Sequence, residues 1–332
     1  MGKGLHTKGG DGTAFPREPM TLAVVAVGGN AISPPKDAGL AAMKSRIAKT
    51  AARLADLVEA GFEIVVTHGN GPQVGAILLQ NEEARAKVPA MPLDVLVAES
   101  QAQIGYLLQQ ALQNEFAARG APRTVASIVT QVIVDPADPA FQEPTKPVGA
   151  VFESEQEVIL RRAKGWKMAQ DPRGGWRRVV SSPRPLEIVE TDVIKRILAA
   201  GDRHVLIAAG GGGVPVVRKL HAYHGVEAVV DKDLASAVLG KAIGADLLVI
   251  ITDVPKVQLR YGKPDRVELD RLSPAEARHH LQAGEFPAGS MGPKIEAALQ
   301  FLDGGGRRVV ITDLEHVVEA ISGRAGTTIA ST

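Results

Sequence analysis

"FEIVVTHGNGPQVG" occupies residues 62–75, and its reading decides the fold. Aromatic and β-branched residues run to Thr67, the composition of a strand, and His68 and Asn70 then stand among Gly69, Gly71 and Gly75. Glycine leaves the backbone room that a side chain would fill, so a ligand or another chain segment is free to come close. Taken alone, such a stretch is satisfied by a tight turn.

Two further stretches repeat the pattern. "VVAVGGNA" (24–31) and "AAGGGGVPV" (208–216) also place glycines directly after apolar, strand-like runs. Loops of this kind aim several backbone N–H groups at one concave spot and bind an anion without net charge, helped by the dipoles of the helices that follow. The chain has four asparagines, and Asn30 and Asn70 both fall inside these loops, where Asp or Ser would serve a plain turn. Three loops together therefore point to an anion or phosphate site.

Between the loops, short β-rich runs alternate with helical patterns: 22–27, a helix over about 40–60, 62–67, helices over 74–86 and 94–119, then runs at 124–134, 205–209, 247–252 and 308–312 with helices over 233–243 and 294–302. Such alternation predicts an open, mainly parallel sheet with helices on both faces, whose ligands bind at the carboxyl edge of the strands. Residues 135–185 break the pattern. They are rich in Pro, Gly and charge and hold both tryptophans, Trp166 and Trp176, so they read as an inserted protruding subdomain within a domain spanning 21–330.

Composition narrows the function. The 332 residues are 45% hydrophobic with a net charge of +1, a soluble globular chain with no bulk field for nucleic acid or membrane. There is no cysteine, which excludes disulfides, thiolate catalysis and Cys-ligated zinc. The apolar runs are too short to cross a bilayer. Residues 1–20 outline a secretory signal only weakly, because the run 22–27 is short and leads straight into Gly28-Gly29-Asn30. They read as a polar leader expected to be disordered, with Met20 as an alternative start.

Neither G-x-x-x-x-G-K-[ST] nor a strand-linked G-x-G-x-x-G is present. Phosphoryl transfer would instead draw on positioned lysines, which act as compact charges. Lys146 lies in "PTKPVG", Lys232 in "VVDKDLAS" and Lys294 in "GSMGPKIEAA". Asp231-Lys232-Asp233 opens a helix, where one carboxylate caps and its neighbour orients a lysine. Lys294 stands in the first turn of another helix behind Pro293, a position where a cation opposes the helix dipole unless an anion is bound there.

These stretches, with "SQAQIGY" (100–106), "TQVIVDPADPAF" (130–141), "RRVVSSPRPLEI" (177–188), "TDV" (252–254) and "FPAGSMGPK" (286–294), are collinear with the carbamate kinases, which the chain resembles over about residues 22–329. The resemblance implies a three-layer α/β/α sandwich of the amino acid kinase superfamily, a homodimer in the cytoplasm. Its reaction is the reversible transfer of a phosphoryl group from Mg-ATP to carbamate, giving ADP and carbamoyl phosphate, often run towards ATP in arginine catabolism. Carried over by position, Lys146 reaches the transferring group, Lys232 and Lys294 hold the phosphates, and Asp233 positions the lysines. Gly28, Gly29, Asn30, Gly69, Asn70 and Gly71 present donors to the small anion and phosphoryl oxygens, with Gly211, Gly212 and Gly213 in the matching third loop. Thr252, Asp253, Val254, Tyr261, Gly262 and Met291 line the nucleotide pocket. Magnesium rides on the nucleotide phosphates, and no protein metal ligand is expected, the His221/His224 and His279/His280 pairs lacking partners. His68 reads as structural.

The sequence departs from the family pattern at Pro34-Pro35 and at Pro255 after "TDV"; neither removes a charged group. Two other readings share the residues: a kinase of another small carboxylate, or one that makes carbamoyl phosphate anabolically, and a nucleotide-binding regulator without turnover. The last has no use for Lys146.

Overall fold

The Leu22–Val27 strand divides its side chains between two cores. Val24 and Ala26 join an apolar cluster with Leu234, Leu239, Ile295 and Phe301, whereas Ala23, Val25 and Val27 join another with Ile47, Leu54, Ile104 and Leu112. Period-2 alternation with both faces covered is what makes a central parallel strand a continuous apolar run. The computed structural model of the protein describes residues 21–33, 39–171, 174–201, 204–287 and 289–331. The expected leader and the Pro34-Pro35 departure lie outside the described residues.

Among the described residues, eight strands form the main sheet, in the order Arg271–Leu272, Thr327–Ile329, Arg308–Thr312, Leu247–Ile251, Leu22–Val27, Glu63–His68, Val205–Ile207, Val125–Ser127. All neighbours run parallel except Arg308–Thr312 with Thr327–Ile329. The helices Leu40–Glu59 and Leu93–Ala118 cover one face, and Lys232–Ile243 and Met291–Asp303 the other, a three-layer α/β/α sandwich. Met43, Ile47, Ala51, Leu54 and Val58 recur at three- and four-residue steps along the first of these helices, the stripe that buries it. On the opposite face Gly240 lets two helices approach closely: a Cβ there would stand 2.8 Å from Phe301 Cε2.

The run at 124–134, read as one strand, is two. Val125–Ser127 ends the main sheet, and Gln131–Val134 enters a four-stranded sheet with Ala222–Gly225, Val214–Lys219 and Pro185–Ile188. The crossing is pinned by the buried Gln101, whose amide donates to Thr130 O at 3.0 Å and accepts from Thr130 N at 3.1 Å. Within 135–185, Lys146–Phe152, Trp176–Val180 and Met168–Gln170 form an antiparallel sheet beside the helix Glu155–Ala163. Its tryptophans are stacking platforms: Arg161 and Arg178 lie 5.2 and 4.6 Å from the Trp166 ring centre, and Arg162 lies 4.6 Å from that of Trp176.

The strand order sets the site. Leu22–Val27 lies between Leu247–Ile251 and Glu63–His68, so that Val27, Ile251 and His68 end in register. Chain direction across the sheet reverses there, and the three following loops open into one crevice.

Candidate active site

The first loop leaves its strand with almost no clearance. A Cβ on Gly28 would sit 2.7 Å from the Ile251 carbonyl oxygen, so only glycine lets the two strand ends pass. Gly29 follows on the wall of a cavity of about 450 Å³, and Asn30 donates across its rim to Asp253 Oδ2 at 2.5 Å.

The second loop answers the question of its three glycines with three different reasons. Gly69 faces Lys232, to which a Cβ would make ordinary contact at 3.5 Å. Gly71 begins the helix Gly71–Ala84 with open space before it and Pro72 behind it, so the unpaired N–H groups of the first turn face the cavity. Gly75 looks away from the cavity. A Cβ on it would stand 1.9 Å from Gly149 Cα, a backbone-to-backbone crossing between this helix and the strand Lys146–Phe152. Asn70 is buried, and its amide donates to Ser100 Oγ at 2.8 Å, which fixes the loop from behind and gives the "SQAQIGY" segment its place.

The third loop stands behind the second. Ala209, Gly211, Gly212 and Gly213 all take positive φ. A Cβ on Gly210 would lie 2.4 Å from His68 Nε2, on Gly211 2.1 Å from Asn70 Nδ2, and on Gly212 2.4 Å from the Val230 carbonyl oxygen. Gly211 reaches the cavity wall; for Gly212 and Gly213 the structure supplies packing reasons, against Val230 and Val132. His68 is sealed between the two loops at 1% exposure, where burial pushes its imidazole down to about 4 against a hydrogen bond to Gly69 O, with Lys232 adding to the shift. It is neutral at pH 7 and structural.

The lysines converge. Asp231 caps the helix Lys232–Ile243, accepting from Asp233 N at 2.9 Å and Leu234 N at 3.5 Å. Asp233, 3% exposed, accepts Lys232 Nζ on Oδ1 and Lys294 Nζ on Oδ2, the latter at 2.8 Å. Burial alone would push its carboxyl up, but the two ammonium groups outweigh that and hold it well below the usual carboxylate range. Burial pushes Lys232 down against the pull of Asp233; in Lys294 the same carboxylate overcomes burial and raises it. One buried carboxylate therefore clamps two cations that would otherwise repel each other. Lys146 lines the same cavity, with Nζ 2.5 Å from Asp231 Oδ2.

Thr252, Asp253, Val254, Tyr261 and Met291 line the same cavity. Gly262 follows Tyr261 in an open turn with φ +79. Several wall residues were missed, among them Asp231, Lys256 and Gln258. The second hydrogen bond of Asp231, to a lysine 85 residues away, has no local signal. Lys256, paired with Asp270 Oδ1 at 2.5 Å, and Gln258 directly follow the "TDV" segment, which was the available cue. Among the described residues no group of three or more His, Cys, Asp or Glu is placed to hold a metal, and no helix is long and apolar enough to cross a membrane.

Residues 21–313 match the model of the amino acid kinase family. The carbamate kinase of Pyrococcus horikoshii is 45% identical over 309 residues, covering 92% of this chain and 98% of that protein. Carbamate kinase from Giardia lamblia bound to citric acid superposes with a TM-score of 0.89 at 40% identity, over 94% of this chain and 99% of that one. The same Giardia enzyme bound to AMP-PNP gives 0.86 at 41% identity with the same coverage.

Proposed function

The chain belongs to the amino acid kinase family, and from that premise we propose that it is a carbamate kinase, moving a phosphoryl group between Mg-ATP and carbamate in both directions. The observation that carries the reading is Asp233 clamped between Lys232 and Lys294, with Lys146 held by the neighbouring Asp231 in the same cavity at the sheet's switch point.

The chemistry asks little of an acid or base. A carbamate oxygen, already anionic, attacks the γ-phosphorus; the bond to the β,γ-bridging oxygen breaks, and ADP leaves with that electron pair. No proton moves. What remains is alignment of the two substrates and stabilisation of charge spread over the equatorial oxygens. Lys232 and Lys294 hold the nucleotide phosphates, and Asp233 keeps both ammonium groups charged and aimed. The N–H groups of Gly29 and of the first turn at Gly71 receive phosphoryl and carbamate oxygens, while Lys146 approaches from its station beside Asp231. Adenosine lies towards Thr252, Val254 and Tyr261. Magnesium arrives on the nucleotide phosphates, which suits a cavity whose Asp231 and Asp233 oxygens are already engaged by lysines and backbone N–H groups.

The family resemblance extends the reading to an ATP-forming role in arginine catabolism by a cytoplasmic homodimer. The test is to incubate purified protein with Mg-ADP and carbamoyl phosphate and measure ATP, with N-acetylglutamate and uridylate as competing acceptors in the ATP-consuming direction. ATP formation with carbamate preferred as acceptor supports the reading. Absence of ATP, or phosphorylation of a competitor in its place, overturns it.

A further inference from the structure

Asp231 carries two jobs on two oxygens. Oδ1 caps its helix, and Oδ2 accepts Lys146 Nζ at 2.5 Å. The cap needs only an oxygen, whereas the second contact uses the charge. Its side chain is 14% exposed and that of Lys146 is 36% exposed, so the pair closes part of the cavity wall.

The backbone shows that the meeting is built. Lys146 pairs with Val180 across the three-stranded sheet. Ser181, the next residue, bridges to Ala228, and Val229 N donates to Ser181 O at 3.0 Å. The segment leading into Asp231 is thus stitched to the strand that neighbours Lys146, and the carboxylate is delivered to the ammonium from a separate part of the chain. A lysine has four rotatable bonds and no fixed station of its own.

We propose that Asp231 is a positioning residue, whose Oδ2 fixes the Lys146 ammonium over the Lys232–Asp233–Lys294 cluster. The proposal rests on the phosphotransfer reading above, since it acts through Lys146 on the transferring group. Asparagine caps helices about as well as aspartate, so Asp231→Asn removes the charge and keeps the cap.

Three measurements test it together. The melting temperature of Asp231→Asn should stay close to that of the wild type, while kcat falls about tenfold or more, because small misplacements of a reacting group are costly. In a Lys146→Ala background the same substitution should cost less than about twofold, since a residue acting through another loses its effect when that other is gone. Acylation of Lys146 by acetic anhydride, followed by peptide mass spectrometry, should speed up several-fold in Asp231→Asn, because the side chain no longer has to leave an ion pair before its neutral amine attacks the anhydride.

Unchanged turnover in Asp231→Asn, an undiminished loss in the Lys146→Ala background, or an unchanged acylation rate would each overturn the assignment. If Asp231→Asn does not fold, Asp231→Ser, which retains a capping oxygen, takes its place with the same outcomes. Should the wild-type protein make no ATP from carbamoyl phosphate, the kinase reading fails separately, and the acylation ratio alone decides the role of Asp231.

Discussion

The second and third glycine loops look alike in sequence and differ in physical purpose. Around Gly71 there is space at the cavity wall, and a Cβ on Gly69 would make only ordinary contact with Lys232; around Gly210, Gly211 and Gly212 there is no room, and the glycines exist because protein atoms already occupy the positions where side chains would go. One loop borders a cavity and the other lets two segments of the chain touch. A glycine count cannot distinguish the two; the contents of the missing Cβ's position can.

Variants should break the two regions in different currencies. The largest effect is expected beside the second loop: Lys232→Ala, which removes the cation that Gly69 faces, should lower kcat by about 10² to 10³, or about 3 to 4 kcal/mol of barrier, with the melting temperature little changed. Steady-state ATP formation checks this, and near-normal turnover would detach the loop from the chemistry. Next comes the third loop. Gly212→Ala places a methyl against the Val230 carbonyl at φ +91, and should cost about 3 kcal/mol of stability, read by urea unfolding. If that variant instead unfolds like the wild type and fails only in turnover, the comparison is wrong.

His68, sealed between the loops, gives a pH test. Its proton affinity is depressed on folding, so the unfolded chain takes up the proton first. Stability is then undiminished above about pH 6.5 and declines as pH falls towards 4, by up to about 3 kcal/mol once both states are protonated. Unfolding free energies measured across that range should show the decline in the wild type, and His68→Gln should remove its share. The smallest effect belongs to Gly71→Ala. With nothing within 4 Å of the added methyl, stability should change by less than about 0.5 kcal/mol, while KM for carbamoyl phosphate should rise because Gly71 lines the cavity proposed to take it.

Much of this was legible before coordinates. The existence of the strands and helices around the site follows from local pattern, because apolar runs, a capping Asp231 and glycines at turns are signals carried by adjacent residues; the helices read from 74 and 294 begin three residues earlier, at Gly71 and Met291. The four-stranded sheet was not. Gln131–Val134 is indistinguishable by composition from the run before it, and what separates them is Gln101, far away in sequence, clasping Thr130. The placement of Gly75 was hidden for a related reason: its partner Gly149 belongs to another part of the chain.

That contact between Gly75 and Gly149 has a mechanical side. Two bare backbones meet there with no side chain between them, so a methyl at Gly75 would force the helix and the strand apart. Lys146 begins the same strand, about 10 Å of extended chain from Gly149, and a rotation of about 10° there carries it roughly 2 Å. Such a displacement separates an ammonium that touches an oxygen from one that does not. Widening that crossing would therefore be felt at Lys146.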